Sequence, residues 1–353
     1  MTLGDAPRPP GTEDGIDVGA VTAWLAERVP GVQPPLSFSL IAGGRSNLTY
    51  RVADAAGGAW VLRRPPRGTL LASAHDMGRE HRIIAALAGS PVPVPPAVGL
   101  SADDSVNGAP FYVMDFVDGL VIRNPEEAAT VGEPVRWAAS ESLVDTLVAL
   151  HDIDPQEVGL GDLGKPSGYV ERLLRRWRGQ WEKSKGRDLP LVEEVAERLA
   201  RDIPPQLRTS IVHGDYRLDN TIVGPEDGQV RAVLDWELCT LGDPLADVGM
   251  LLMYWTEPGD EFSPLFWAPT TAPGFPGRKD VATRYAAASG RDLGEIDYYV
   301  ALALWKAAVI LEGVYARYAS GAYGETDDSW RHFDEVIPRL AKAAADAASR
   351  AGR

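Results

Sequence analysis

Residues 211–248 read IVHGDYRLDNTIVGPEDGQVRAVLDWELCTLGDPLADV, and the fold is decided by how this stretch is read. Ile211 and Val212 run into a polar loop, His213-Gly214-Asp215-Tyr216-Arg217-Leu218-Asp219-Asn220. Two short apolar runs, 221–223 and 230–234, flank a turn at 224–228, which predicts a hairpin that delivers Asp235. Loops flanking adjacent strands are thereby expected to place Asp215, Asn220 and Asp235 around one small volume. An aspartate, an asparagine five positions on and a second aspartate after a hairpin suit phosphoryl transfer. One carboxylate orients the attacking hydroxyl, while the amide and the other carboxylate offer hard oxygens to magnesium. A loop with one Asp and one Asn is, alone, an ordinary surface turn. The linked pieces carry the reading.

Those pieces resemble the catalytic core of the aminoglycoside phosphotransferase and choline kinase family, the small-molecule branch of the protein-kinase-like fold. The likeness lies in His213-Gly214-Asp215 with Asn220, in Leu234-Asp235-Trp236-Glu237 and in Gly242-Asp243-Pro244-Leu245-Ala246-Asp247. They come in the family's order and close to its spacing. The resemblance implies an α+β, bilobal protein-kinase-like fold with a small antiparallel-sheet N-lobe and a larger, mainly helical C-lobe. It also implies ATP and Mg2+ as cofactors, with ATP between the lobes and Asn220 and Asp235 on the metal. Asp215 then takes or orients the proton of the acceptor hydroxyl. Arg217 stands where protein kinases carry a catalytic-loop lysine, a place from which it would stabilise the transferred phosphoryl group.

Upstream, the pattern fits the smaller lobe. Residues 1–15 are rich in Pro, Gly and Asp and read as an arm, followed by a short helix over 17–28; together 1–30 are set apart from an N-lobe at 31–117 and a C-lobe at 118–353. Apolar runs at 36–41, 48–52 and 59–63 read as three strands, 76–87 as a helix, and 109–116 as a further strand of a five-stranded sheet. By resemblance, the turn containing Gly43, Gly44, Ser46 and Asn47 is a nucleotide-covering loop, whose glycines let backbone N–H groups approach phosphates. An ordinary hairpin is the competing reading. Arg63 falls where protein kinases place a phosphate-binding lysine. Its guanidinium can engage two phosphate oxygens and stays charged; Arg64 should face the other side of the strand. Glu80, beside the apolar face of its helix, is the expected partner that orients Arg63. The adenine base is expected at the backbone of Asp115, Phe116 and Val117.

Beyond 118 the pattern is helical. His151 is expected to be a core histidine supporting the catalytic loop, and Asp243 and Asp247 to fix loops by accepting hydrogen bonds. An Arg/Trp helix over 169–185 reads as a packed face or, alternatively, as an anion-binding stripe. Gly159–Lys165 imitates a Walker A loop, but Pro166 replaces the hydroxyl that magnesium needs and no strand precedes it.

Composition limits the alternatives. The 353 residues carry 50 acidic and 35 basic side chains, a net charge of −15, which argues against a nucleic-acid partner. Residues 31–118 are neutral, with 7 of each sign, whereas 119–353 hold 26 basic against 38 acidic groups. Such a surround reads either as a solvated acidic surface or as a field that steers a cationic acceptor. A single cysteine, Cys239, leaves no internal disulfide framework. No stretch marks export, and the apolar run at 299–318 carries Lys306, Glu312 and Arg317, so it reads as a buried helix rather than a membrane span. The expectation is a cytoplasmic protein without a membrane partner.

Three readings compete: a small-molecule phosphotransferase, a protein kinase, and a nucleotide-binding scaffold without turnover. The few residues between Asp235 and Gly242 leave no room for a long activation loop, and no Ala-Pro-Glu follows. A small hydroxyl acceptor is therefore expected, either a cation of aminoglycoside or choline type or an anionic metabolite. Within the family, Val61-Leu62-Arg63-Arg64-Pro65-Pro66, Ser73-Ala74-His75 and Glu80-His81-Arg82 resemble a subgroup fused to acyl-CoA dehydrogenases, for which a hydroxyacyl thioester is implied.

Overall fold

The computed structural model describes residues 12–13, 15–42, 47–66, 76–264, 268–321 and 328–353. Gly43, Gly44, Ser46 and the 73–75 segment lie outside them. The chain divides into two units, Met1–Asp118 with Leu234–Glu237, and Gly119–Val233 with Leu238–Arg353.

The first unit opens with a two-stranded ribbon, β1 (Thr12–Glu13) and β2 (Ile16–Asp17), that leads into α1 (Val18–Ala26). Asp17 starts this helix by accepting the Ala20 N–H at 3.0 Å. A five-stranded antiparallel sheet follows: β3 (Ser37–Ala42), β4 (Leu48–Ala53), β5 (Ala59–Arg64), β6 (Ala97–Ser101) and β7 (Phe111–Asp115), in the order β3-β4-β5-β7-β6. Strand alternation sends Phe38, Tyr50, Val52, Trp60, Leu62, Phe111 and Val113 into one core with Trp24 and Leu25 of α1. Between β5 and β6, α2 (Met77–Leu87) is capped by Asp76 and buries Met77, Glu80, Ile83, Ile84 and Leu87, a helical period with one carboxylate in it. Burying Glu80 on that face is costly unless it is paired. The sequence reading missed β6, an edge strand that is half-buried along most of its length and preceded by prolines.

The second unit is mainly helical. It contains α3 (Pro125–Ala129), α4 (Glu133–Asp152), α5 (Tyr169–Ser184), α6 (Pro190–Arg201), α7 (Leu245–Tyr254), α8 (Arg278–Ser289), α9 (Ile296–Ala319) and α10 (Phe333–Arg350). Two small antiparallel pairs interrupt them: β8 (Ser210–Val212) with β11 (Thr240–Gly242), and the hairpin β9 (Thr221–Val223) with β10 (Val230–Val233). Helix α9 is long and apolar enough, by length and composition, to cross a membrane. Instead it lies among α5, α6, α7 and α10, burying Tyr298, Tyr299, Leu302, Trp305 and Val309. Its two interior charges are also buried, Glu312 against Arg187 Nη2 at 2.6 Å and Lys306 against a loop carbonyl. Helix α4 begins at Glu133 with Pro134 in its first turn, and buried Arg136 donates to the carbonyls of Ala128, Val131 and Pro273.

Candidate active site

In the first unit, pairing of β5 with β7 sets Arg63 opposite Tyr112, and α2 supplies Glu80 to both. Arg63 Nη1 lies 3.4 Å from Glu80 Oε2, and Tyr112 donates its hydroxyl to the same oxygen at 3.0 Å. Asn47 Nδ2 donates to Glu80 Oε1 at 2.8 Å. Glu80, 1% exposed, is thus held at both oxygens. Burial raises its pKa, against the opposing pull of Arg63, Tyr112 and Asn47. Burial works against charge on Arg63 too, but Tyr112, Glu80 and Asp235 outweigh it and keep the guanidinium charged. Arg63 Nη2 reaches Asp235 Oδ1 at 3.1 Å, while its buried Nε has no hydrogen-bond partner among the described residues. Arg64, on the opposite side of the strand, donates to the Gly15 and Pro65 carbonyls.

Asp235 has φ 64, the one positive φ of a non-glycine among the described residues. That conformation costs on the order of 1–3 kcal/mol and tends to persist where function needs it. At the end of β7, the Asp115 N–H donates to Pro96 O at 2.8 Å and the Phe116 N–H to Ala59 O at 3.2 Å. The Val117 N–H has no partner among the described residues, so of these three amides it is the one left for a base.

In the second unit, β8 delivers the polar loop. Gly214 has φ 84, and a Cβ there would come within 2.9 Å of Leu238 O, so the turn after His213 requires glycine. Asp247, at the start of α7, accepts the N–H groups of His213 at 2.6 Å and Gly214 at 2.8 Å. His151 Nε2 lies 3.3 Å from Asp247 Oδ2, and its Nδ1 lies 2.8 Å from the Tyr285 hydroxyl. Burial lowers the His151 pKa. Burial alone would raise that of Asp247, but His151, His213 and the Gly214 amide more than offset it. Lys306 Nζ donates to Gly214 O at 3.1 Å. The peptides entering Asp215 are therefore held from both sides. Asp243 accepts the Tyr299 hydroxyl at 2.7 Å.

Asp215 itself is tied by Asn220, whose Nδ2 donates to its carbonyl at 2.8 Å and to Oδ2 at 3.1 Å. Arg217 Nε stands 3.3 Å from that same Oδ2, Nη1 stands 3.1 Å from Asp219, and the guanidinium lies over the Tyr254 ring. Two oxygens are left without partners among the described residues: Asp215 Oδ1, and Oδ1 of Asn220, whose amide is oriented by the bonds from Nδ2.

Within the first unit the structure brings together Asn47, Arg63, Glu80 and Asp235; within the second, Asp215, Arg217 and Asn220. The sequence reading missed Tyr112, Asp219 and Lys306. Burial raises the Asp219 pKa, with Arg217 opposing. Lys306 had a signal: a lone ammonium inside the apolar run 298–311.

Each unit taken by itself offers hard oxygen atoms of the kind magnesium takes. Among the described residues no three His, Cys, Asp or Glu side chains cluster to hold a metal alone. Magnesium typically takes one or two protein oxygens and completes its shell with phosphates and water; Asn220 Oδ1 in the second unit and, separately, Asp235 Oδ2 in the first have no partner among the described residues. The unspent Arg63 Nε is a donor for an anion.

Comparison with known proteins identifies the family. Residues 37–304 match the model of the phosphotransferase enzyme family. Acyl-CoA dehydrogenase family member 10 of Mus musculus is 36% identical over 295 residues, covering 81% of this chain and 27% of that protein. Family member 11 of Gallus gallus is 33% identical over 342 residues, covering 93% and 43%. The chain thus spans less than half the length of these curated relatives. A solved structure from Ralstonia eutropha, assigned to the aminoglycoside phosphotransferases, superposes with a TM-score of 0.79 at 31% identity, covering 95% of this chain and 99% of the other. The ternary complex of aminoglycoside phosphotransferase APH(4)-Ia with ADP and hygromycin B, 14% identical with a TM-score of 0.60 and covering 92% and 99%, shares the fold. The architecture is the bilobal α+β fold of these enzymes, and the chain belongs to the phosphotransferase enzyme family.

Proposed function

We propose that this protein transfers the γ-phosphoryl group of ATP, with Mg2+, to a hydroxyl of a small molecule. The observation that carries the proposal is the state of Asp215: one carboxylate oxygen is fixed by Asn220 and Arg217, and the other is left for a proton. A base that must act within hydrogen-bond reach needs this orientation. Magnesium, when bound, neutralises charge on the phosphates; Asn220 and Asp235 are the residues we assign to it. Arg63, oriented by Glu80, takes the phosphates, with Asn47 and the loop of Gly43, Gly44 and Ser46 covering them. The Val117 N–H donates to the nucleobase, flanked by Asp115 and Phe116. Arg217, held between Asp215 and Asp219, stabilises the transferred phosphoryl group. Nucleotide use is supported by neighbours of the same fold solved with ADP, AMP-PNP or GDP.

The acceptor is a hydroxyl compound of aminoglycoside-like, choline-like or hydroxyacyl type. The acyl-CoA dehydrogenase relatives support the last, and the acidic second unit supports a cation. ATP consumption measured across a panel of these hydroxyl compounds tests the reading. Turnover that needs both Mg2+ and Asp215 is the expected result. Mg-ATP binding without turnover for any acceptor would favour the non-catalytic scaffold.

A further inference from the structure

The second unit contains a cavity of about 440 Å3, within the size range of small-molecule sites. None of its lining residues belongs to the catalytic loop 213–220. Pro204, Pro205, Leu207, Pro244 and Leu245 give it an apolar wall, and Leu207 is 79% exposed. Its charged residues are of both signs, but their state differs. The carboxylates are engaged: Asp243 accepts from Tyr299 and from Leu245 N, Asp292 from Gly294 N, and Glu295 pairs with Arg353 at 2.9 Å. The cations keep donors unspent. Arg291, with its side chain 8% exposed, spends Nη2 on His151 O at 3.0 Å and on Asp152 at 2.7 Å. Its buried Nε and Nη1 have no partner among the described residues. Arg208, exposed at the rim, has no ion pair or side-chain hydrogen bond among them either. Helix α9 contributes its N-terminal end at Glu295, where no side chain caps it, so the helix dipole adds to the same sign.

Buried donors left without acceptors are costly, and an anion removes that cost. We propose that this cavity is a second ligand site, separate from the catalytic loop, for a small monocarboxylate with an apolar tail. Arg291 and Arg208 take the carboxylate, and the proline and leucine wall takes the tail. The site is wired to the loop: Arg291 holds the His151 carbonyl, His151 contacts Asp247, and Asp247 holds the amides that precede Asp215.

Calorimetric titration of the full chain with hexanoate, hexanol and inorganic phosphate tests the site, alongside Arg208→Ala and Leu207→Asp, both exposed positions whose substitution leaves folding intact. Saturable hexanoate binding is expected, with hexanol and phosphate each at least about tenfold weaker. Each variant should weaken hexanoate about tenfold while Tm without ligand stays unchanged. Absence of saturable hexanoate binding would overturn the proposal. So would hexanol or phosphate binding as tightly as hexanoate, or an affinity unmoved in both variants. The titration does not depend on turnover, so its failure leaves the phosphotransferase reading untouched.

Discussion

Arg63 and Asp235, 172 residues apart in sequence, are joined by a salt bridge, Nη2 to Oδ1 at 3.1 Å. The same guanidinium pairs with Glu80, so one buried cation serves two carboxylates of different standing. Glu80 is 1% exposed and closed off by Asn47 and Tyr112, whereas the Asp235 side chain is 32% exposed and keeps Oδ2 open. An arginine suits this position because its planar fork presents separate, fixed donors to each partner, whereas a lysine offers one compact ammonium.

Arg63→Lys should therefore be a graded lesion and Arg63→Met a severe one. Loss of charge-assisted bonds to the phosphates should weaken Mg-ADP binding by about 10- to 100-fold in Arg63→Met. That variant also leaves Glu80 buried without its cation, which predicts destabilisation on the order of 3–5 kcal/mol. Calorimetry with Mg-ADP and thermal melts separate the two effects. Wild-type affinity in Arg63→Met would remove Arg63 from the nucleotide site.

Asp215→Asn keeps the shape of the side chain and its contacts with Asn220 and Arg217 but removes the proton acceptor. Turnover should fall by about 10²–10⁴-fold, the usual contribution of a general base. Mg-nucleotide affinity should stay within about twofold, because Asp215 is assigned no phosphate contact. Steady-state kinetics beside nucleotide titration checks both, and an unchanged kcat would dismiss Asp215 as the base.

The polar loop 213–220 was legible because its contacts are local in sequence. Asn220 stands five positions after Asp215, and the 3-10 turn at Leu218–Asn220 folds the amide back onto the carboxylate. The small sheet was legible through its apolar runs at 36–41, 48–52 and 59–63. Tyr112 was not, because an inward tyrosine in a buried strand looks like core until β5 and β7 are paired and Glu80 is found beneath it. Asp219 was hidden in the same way, being one of several polar residues in a loop until Arg217 is seen bridging it to Asp215. Helix α6 and edge strand β6 were missed where charges or prolines interrupt the apolar pattern.

Lys306 offers a test of how the loop is held. Its ammonium is buried, and burial lowers its pKa against the pull of Asp215 and Asp247. Lys306→Met removes a charge that is costly to bury while keeping length and apolar bulk. Tm should therefore hold or rise, whereas the Gly214 carbonyl loses its donor and turnover should fall by about tenfold or more. A variant losing Tm and kcat together would reduce Lys306 to a packing residue.

Acid should weaken the fold through the His151–Asp247 pair. Burial depresses the His151 pKa below its ordinary 6.5, so the unfolded chain takes up the proton first. Stability from this group is complete above pH 6.5 and is lost as pH falls from there through the folded-state value. Asp247, also depressed, acts in the same sense at lower pH, with its contribution complete above 3.8 and lost below it. Tm measured from pH 8 to 5 should fall as the solution is acidified. His151→Gln keeps a polar side chain but cannot ionise, so its Tm should start lower and vary less across that range. Parallel Tm profiles for wild type and His151→Gln would mean that another group sets the acid limit.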